Sequence, residues 1–336
     1  MPSRRPILEI RGLRTQFFLR EGTVTALDGI DLTIYEKESV GVVGETGCGK
    51  SMTAFSMLRL VPYPGRITAG SIVFKGVDIT KLDQDRLRGV RGKRISMIFQ
   101  DPSTSLDPVF TVGQQLGEVI SLHQNIYDKA RLDAKILEAL RLVRIAAPES
   151  VMKQYPHELS GGMKQRVMIA IAISCSPELL IADEPTTALD VTIQAQVLNL
   201  LKDLVRTTGS SMMLITHNLG VVAETCDRIC IMYAGRIVEE AETFELFANP
   251  LHPYTRGLLS AFPKLGEHRE ELMVIRGTVP NLMKPFPGCS FVDRCDLASE
   301  RCRAIRPVRV EASSGHFVSC HLYSKEGVER SKIRAN

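Results

Sequence analysis

A glycine-rich segment directly after a short apolar run constrains the fold of this chain more than any other feature. The run VGVV at residues 40–43 is typical of a buried parallel strand, and the residues after it, GETGCGKS, have the spacing G-x-x-x-x-G-K-[ST]. Glycines let backbone N–H groups curl around an anion, and the helix predicted to follow directs its positive end at the same point. Lys50 would reach the terminal phosphates of a nucleotide, and Ser51 would offer its hydroxyl to Mg²⁺. A glycine-rich turn that binds nothing is the weaker alternative, because a strand precedes the segment and a helix-compatible sequence follows it.

The composition is that of an ordinary globular protein with one large core and an appendage. The chain has 336 residues, of which 24% are charged and 44% hydrophobic, and its net charge is only +4. This weak charge gives little attraction to nucleic acid or to anionic membranes. No apolar run approaches the roughly 18 residues of a membrane span, and the N-terminal segment MPSRRPILEI lacks the apolar stretch of a secretion signal. We therefore expect a cytosolic protein that only its partners hold at a membrane.

The predicted strands and helices are typical of an α/β core with a helical insertion. Residues 7–34 are predicted to form strands, and the runs at 95–99, 179–182 and 211–217 read as further strands of the core. Residues 111–155 have a helical pattern that interrupts the alternation, whereas residues 100–110, QDPSTSLDPVF, read as an ordered loop. Phe17 and Phe18 lie in the early strands, where one of them could stack on an adenine ring or both could face a core.

Polar side chains follow three of the predicted strands. Asp183 and Glu184 come directly after the run LLIA and point different ways, so that one can hold Mg²⁺ through water while the other polarises an attacking water. Gln100 and His217 also follow strands, at the edge where ligands bind in such sheets, although each alone is more typical of a surface amide or a structural histidine. Ser160 and the two glycines after it would begin another helix with free N–H groups suited to a phosphate, or form an ordinary helix cap.

Taken together, these segments resemble the ATP-binding-cassette (ABC) ATPases. GETGCGKS, Gln100, LSGGM at 159–163, LLIADE, ALD at 188–190 and His217 occur in that family's order, and LSGGM followed by KQR is the specific element. The stretches QDPSTSLDPVFTVGQQ, QYPHELSGGMKQRV and NPLHPYTRGLL further resemble the ATPase subunits of oligopeptide/dipeptide importers. The resemblance implies an α/β ABC nucleotide-binding domain over residues 5–260, with a RecA-like core, an N-terminal antiparallel β subdomain and an inserted α-helical subdomain at about 104–175. A small C-terminal metal-binding extension would occupy residues 261–336.

The family resemblance also implies a role for each matching residue. Glu184 would be the general base, Gln100 would contact the metal and the attacking water, and His217 would contact the γ-phosphate. Residues 160–162 would contact the ATP bound by an opposite subunit, so two cassettes must close head-to-tail over two ATP molecules. The predicted contacts of ATP are Phe17, Gly44, Glu45, Thr46, Gly47, Cys48, Gly49, Lys50, Ser51, Met52, Gln100, Ser160, Gly161, Gly162, Asp183 and Asp190. Those predicted to hold Mg²⁺ are Ser51, Gln100 and, through water, Asp183.

Four cysteines near the C-terminus predict a metal site: Cys289, Cys295, Cys302 and Cys320. Four thiolates can ligate a [4Fe–4S] cluster or a structural Zn²⁺, and zinc sites usually pair their cysteines as C-x₂₋₄-C. Here the gaps are five, six and seventeen residues, which is loose for zinc. The importer family extends past the cassette into a region with such cysteines, and the resemblance implies a [4Fe–4S] cluster, with zinc or free thiols as alternatives. His316 and His321 are predicted to be bystanders.

The resemblance implies that ATP hydrolysis by this subunit powers import of a small solute, above all di- and oligopeptides. The expected partners are a second, related ABC ATPase chain, two transmembrane permease subunits and, indirectly, an extracytoplasmic solute-binding protein, without nucleic acid. The expected location is peripheral, on the cytoplasmic face of the inner membrane. One alternative is a soluble cassette ATPase acting on nucleic acid or macromolecular assembly, whose relatives often carry basic patches that this chain lacks. Another is a redox-responsive Fe–S ATPase.

Overall fold

The computed structural model describes residues 5–187, 189–260, 275–280, 282–283 and 286–323. Its strands, in chain order, are β1 (Pro6–Leu19), β2 (Gly22–Tyr35), β3 (Ser39–Val43), β4 (Gly65–Phe74), β5 (Val77–Asp78), β6 (Ile95–Ile98), β7 (Leu179–Asp183), β8 (Ser211–Thr216), β9 (Arg228–Tyr233), β10 (Arg236–Glu242), β11 (Val310–Ser313) and β12 (His316–Val318). The strands predicted over residues 7–34 are confirmed as β1 and β2, which are joined by a short turn.

The α-helices, in chain order, are α1 (Lys50–Met57), α2 (Gln84–Arg88), α3 (Pro102–Ser105), α4 (Val112–Gln124), α5 (Lys129–Leu142), α6 (Pro148–Val151), α7 (Gly161–Ile173), α8 (Val191–Thr208), α9 (Leu219–Thr225), α10 (Thr243–Ala248), α11 (Pro253–Ser260) and α12 (Glu300–Ala304). Short 3₁₀ helices occur at Ile79–Lys81, Pro156–Glu158, Val292–Arg294 and His321–Tyr323. Within the described ranges, no helix is both long enough and apolar enough to cross a bilayer.

The chain divides into two compact units. The first consists of Met1–Glu9, Thr33–Ser39 and Val73–Thr216, and the second of Ile10–Leu32, Val40–Ile72 and His217–Asn336. Each unit is therefore built from separate stretches of the sequence. The predicted boundary between residues 260 and 261 stays a prediction.

The first unit contains a run of parallel strands in the order β6-β7-β8. Ile95 is paired with Leu179, and Leu179 in turn with Ser211, and the backbone hydrogen bonds continue along all three strands. Every residue of these strands is buried, as expected for parallel strands that are covered on both faces. The strands predicted at 95–99, 179–182 and 211–217 are therefore confirmed, and each ends within one residue of its predicted position.

Helices α3, α4, α5 and α7 of the first unit pack against one another. Thr111 begins α4 with a capping box that it shares with Gln114, and the Ser160 hydroxyl begins α7 by accepting a hydrogen bond from the Met163 amide at 3.4 Å. The predicted loop at 100–110 is wrong in part, because it contains α3. The Asp101 carboxylate caps that helix by accepting from the Ser103 amide at 2.8 Å, and a proline occupies its first turn.

The second unit contains a sheet in the order β11-β12-β10-β9-β3. Strand β3 is parallel to β9, with Val40 opposite Arg228, whereas β9 and β10 form an antiparallel hairpin that turns at Gly235. The C-terminal hairpin of β11 and β12 extends this sheet, because Glu240 on β10 pairs with Phe317 on β12. The hairpin was not predicted from the sequence. In a separate sheet, β1 lies between β2 and β4.

Candidate nucleotide site

The predicted phosphate loop joins β3 to α1 in the second unit, and this strand–loop–helix arrangement is confirmed. The buried Lys50 ammonium lies within the loop, where it donates to the carbonyl oxygens of Gly44 at 2.8 Å and Glu45 at 3.0 Å. Gly49 precedes α1 with a φ of 108°, a left-handed conformation that favours glycine. The first amides of α1 therefore open onto the same loop as the lysine, which is the arrangement that suits an anionic phosphate group.

Close backbone approach explains two of the loop glycines. A Cβ at Gly44 would lie 2.2 Å from the Met232 carbonyl oxygen on β9, and a Cβ at Gly49 would lie 2.9 Å from the Ala26 carbonyl oxygen on β2. The Gly235 amide also donates to the Cys48 carbonyl oxygen at 2.8 Å. The loop is thus seated directly on the backbone of neighbouring strands.

The remaining loop residues differ in exposure. Thr46 and Gly47 are exposed at the loop tip, whereas Ser51 and Met52 lie half-buried in the first turn of α1. The Cys48 side chain is buried, and this burial raises the pKa of its thiol despite the nearby lysine charge. A buried neutral thiol leaves the backbone of Cys48 as its contribution to the loop.

Phe17 and Phe18 lie near the end of β1, in different surroundings. The half-buried Phe17 ring packs against Gly65, where an added Cβ would lie 2.6 Å from the ring. The Phe18 ring is 39% exposed, and the Arg66 guanidinium carbon lies over it, 4.2 Å from the ring centroid. Stacking of either ring on adenine stays a prediction.

In the first unit, the structure brings Gln100 and Glu184 together. The Gln100 side-chain amide donates to Glu184 Oε2 at 3.0 Å, and the Thr187 hydroxyl donates to the same oxygen at 2.9 Å. Glu184 has a φ of 44°, unusual for a residue other than glycine, and its amide donates to the Ile215 carbonyl oxygen on β8 at 2.8 Å. The carboxylate is therefore held in one orientation, and Thr187 is a contact that the sequence analysis missed although it lies three residues after Glu184.

The other predicted residues of the first unit lie near strand and helix ends. Asp183 is buried as the last residue of β7. Asp190 is exposed and precedes α8, without capping that helix through its side chain. Ala188, in the predicted ALD segment, lies outside the described residues. Ser160 and Gly161 are exposed at the start of α7, and Gly162 is half-buried there.

His217 belongs to the second unit and is exposed directly after β8. The next residue, Asn218, begins α9 by accepting a hydrogen bond from the Gly220 amide at 2.9 Å. The predicted position of His217 at the carboxyl end of a strand is thus confirmed, whereas its contact with a γ-phosphate stays a prediction.

The four C-terminal cysteines are free, half-buried thiols of the second unit. Burial, together with the smaller effect of the charges of Cys289, Cys295 and Cys302, raises the pKa of Cys320 to about 12. Across the described ranges, however, no group of three or more Cys, His, Asp or Glu side chains is arranged to hold a metal ion. The pKa effect between the cysteines is weak evidence for a metal site, because electrostatic influence reaches further than a metal–ligand bond.

The two neighbouring histidines have protein partners. The His316 ring nitrogen Nε2 lies 2.8 Å from Glu239 Oε1, and both side chains are buried. The His321 ring nitrogen Nε2 lies 2.8 Å from the Ile305 carbonyl oxygen. The expectation that both histidines are bystanders to the cysteines stays a prediction.

Two family descriptions match the sequence. Residues 27–187 match "ABC transporter", and residues 238–302 match "Oligopeptide/dipeptide transporter, C-terminal region". The chain is 52% identical over 316 residues to the probable peptide ABC transporter ATP-binding protein y4tR of Sinorhizobium fredii, and the matched region covers 94% of each chain. It is 48% identical to the oligopeptide transport ATP-binding protein AppD of Bacillus subtilis, over 97% of this chain and 99% of that one.

A solved structure has a similar fold. The ATP-binding cassette MJ0796, in a dimeric post-hydrolysis state bound to ADP and Pi, superposes with a TM-score of 0.64 and 26% sequence identity. The match covers 70% of this chain and 98% of the cassette.

Proposed function

Since this chain belongs to the ABC transporter ATPases, among the ATP-binding subunits of oligopeptide and dipeptide importers, we propose that it hydrolyses ATP to power peptide import through a membrane-embedded transporter. The observation that carries this proposal is the extent of the similarity. Peptide-transporter ATPases match 94% or more of the chain, whereas the cassette MJ0796 matches only 70% of it. The similarity thus includes the C-terminal region, which a cassette alone does not have.

Phosphate binding is assigned to the loop after β3. Its amides and the Lys50 ammonium would hold the terminal phosphates, since both surround the same loop opening. The hydroxyl of Ser51 would bind Mg²⁺ directly, and the carboxylate of Asp183 would act through water. Bound Mg²⁺ would neutralise part of the charge on the phosphate oxygens. Phe17 would stack on the adenine.

Hydrolysis is assigned to Glu184 as general base. Its carboxylate accepts hydrogen bonds from Gln100 and Thr187, so the oxygen that takes a proton from water would be held in place. Gln100 would also contact the attacking water and the metal, and His217 would contact the γ-phosphate. The left-handed backbone of Glu184 fits this role, because strained residues cluster at active sites.

A second cassette is required to complete each site. Ser160, Gly161 and Gly162 would contact ATP held by the opposite subunit, and their position at the exposed start of α7 suits that contact. Two chains would close head-to-tail over two ATP molecules, and hydrolysis would release them. The proposed partners are a related ATPase chain and two transmembrane permease subunits, which would hold this chain at the cytoplasmic face of the membrane and receive solute from a binding protein outside.

We also propose that the C-terminal cysteines hold a [4Fe–4S] cluster. Four thiols are the donor set that such a cluster takes, and this chemistry supports the proposal. The described residues do not hold the side chains in an arrangement ready for a metal ion, so the cluster would have to draw the four cysteines together. A cluster of this kind would tie the C-terminal segment together. A structural Zn²⁺ is the competing occupant, and the metal content of the purified protein distinguishes the two.

The test of the proposed function is a tagged purification from detergent-solubilised native membranes under anaerobic conditions. We expect two multi-spanning proteins and a second ATPase to copurify with the chain, together with peptide-stimulated ATP hydrolysis. Recovery only from the soluble fraction, or together with nucleic acid or cluster-assembly factors, would contradict the transport function and leave only the ATPase chemistry.

A further inference from the structure

Arg294, on the 3₁₀ helix Val292–Arg294, uses its guanidinium to bind the phosphate loop. Its two terminal nitrogens donate to the two carboxylate oxygens of Glu45, at 2.8 Å and 3.0 Å. Its Nε donates to the Arg276 carbonyl oxygen at 2.8 Å, and longer contacts of 3.4 Å reach the Tyr233 hydroxyl and the Ile275 carbonyl oxygen. All five N–H groups of the guanidinium thus have an acceptor, and the side chain is only 7% exposed. The Arg294 guanidinium is therefore held in one orientation.

Glu45 is fixed through its backbone as well as its carboxylate. Its amide donates to the Tyr254 hydroxyl at 3.0 Å, and its carbonyl oxygen accepts from the Lys50 ammonium at 3.0 Å. Tyr254 is fully buried and packs against Phe291, with ring centroids 5.4 Å apart. Arg294 therefore binds Glu45 directly, whereas Phe291 packs on Tyr254, which binds the Glu45 amide.

The segment that makes these contacts lies between two of the C-terminal cysteines. Cys289 is connected to the 3₁₀ helix by the hydrogen bond that its carbonyl oxygen accepts from the Val292 amide at 3.2 Å. Cys295 follows Arg294 directly, and its amide donates to the Val292 carbonyl oxygen at 3.4 Å. A change in the position of either cysteine would therefore move the backbone that carries Arg294.

The charge of Glu45 would oppose a polyphosphate in the loop unless it is neutralised. The residue is part of the loop that surrounds the Lys50 ammonium, and a carboxylate there repels a negatively charged ligand. A bidentate guanidinium cancels this charge and holds the carboxylate in one orientation.

We propose that Arg294 is a positioning residue of the nucleotide site, which neutralises Glu45 and makes ATP affinity depend on the cysteine-bearing segment. This inference rests on the proposed function, since it assumes that the loop binds ATP. It adds to that function a connection between the C-terminal region and the phosphate loop.

The test is the dissociation constant for Mg-ATP, measured by calorimetry on the full chain. Arg294→Met should weaken binding by about tenfold, the effect of losing one charge pair, whereas Arg303→Met should leave it unchanged. Arg303 is a matched control because it also pairs with a carboxylate, that of Asp293 at 3.1 Å, but both partners are exposed. Arg294→Lys keeps the charge without the fork and should fall between the two, and it serves if the methionine variant does not fold.

A double variant tests whether Arg294 acts through Glu45. In a Glu45→Gln background the charge to be neutralised is gone, so adding Arg294→Met should weaken Mg-ATP binding by less than about threefold. A threefold change in the dissociation constant corresponds to about half the free energy of the tenfold change expected in the wild-type background. Equal losses in both backgrounds, or wild-type affinity in Arg294→Met and Arg294→Lys, would overturn the inference. Lys50→Ala separates this failure from that of the proposed function: if Lys50→Ala binds Mg-ATP as tightly as wild type, the loop is not the nucleotide site.

Discussion

Replacement of Gly44 by alanine tests how tightly the phosphate loop is seated on β9. The new Cβ would lie 2.2 Å from the Met232 carbonyl oxygen and 2.7 Å from the Cys48 sulfur, whereas ordinary contacts begin at 3.4 Å. Met232 cannot move away easily, because it pairs with Ile237 in the β9–β10 hairpin. Since backbone must shift by about an ångström, we expect Gly44→Ala to lower the free energy of unfolding by about 3 kcal/mol and to abolish ATP binding.

Gly47→Ala is the matched control in the same loop. A Cβ there meets no atom within 4 Å, so its cost is only that of a left-handed backbone with a φ of 80°, about 1 kcal/mol. Urea unfolding without nucleotide, followed by circular dichroism because the chain has no tryptophan, measures both variants. Equal stability of the two variants would refute the argument that close backbone approach is what requires glycine at position 44.

Three further predictions concern catalysis, pH dependence and metal content. Glu184→Gln should lower ATP hydrolysis by about 100-fold or more while ATP still binds, as phosphate release and calorimetry would show, and a near-normal rate would exclude Glu184 as general base. Burial, with the charge of Arg256, lowers the pKa of His252 to about 3, so below about pH 6.5 the unfolded state binds a proton that the folded state does not. Unfolding should therefore become easier by about 2 kcal/mol between pH 7 and pH 5, and this pH dependence should be weaker by that amount in His252→Gln; equal dependence in both proteins would contradict it. Anaerobically purified wild type and Cys175→Ser should contain about four iron atoms per chain and Cys295→Ser less than one, whereas zinc in the wild type would contradict the cluster.

The parts of the fold that local sequence determines were predictable. The strand, loop and helix at residues 39–57 follow from an apolar run, glycine spacing and a helix-compatible segment, and the structure has them as expected. The Ser160 cap at the start of α7 is equally local. The loop predicted at 100–110 contains α3 because its proline and short polar residues suit a capped helical turn as well as a loop.

Contacts between distant segments could not be predicted in this way. Strand β12 has three residues, and its register is set by pairing with β10, nearly eighty residues earlier in the chain. The contact of Gln100 with Glu184 depends on β6 and β7 being neighbours in the sheet, which the polar residues after each strand suggest but do not specify. The pair of Arg294 and Glu45 joins positions 249 residues apart, and no pattern in the sequence indicates that these two residues meet.

The central claim is that ATP hydrolysis by this chain powers peptide import, and uptake of a radiolabelled dipeptide by intact cells tests it most directly. Cells without the chain should lose uptake, and the wild-type chain should restore it. Lys50→Ala, present in the membrane at the same level, should not restore it, because the ammonium that lies within the phosphate loop would be missing. Uptake that persists without the chain, or that Lys50→Ala restores, would contradict the claim.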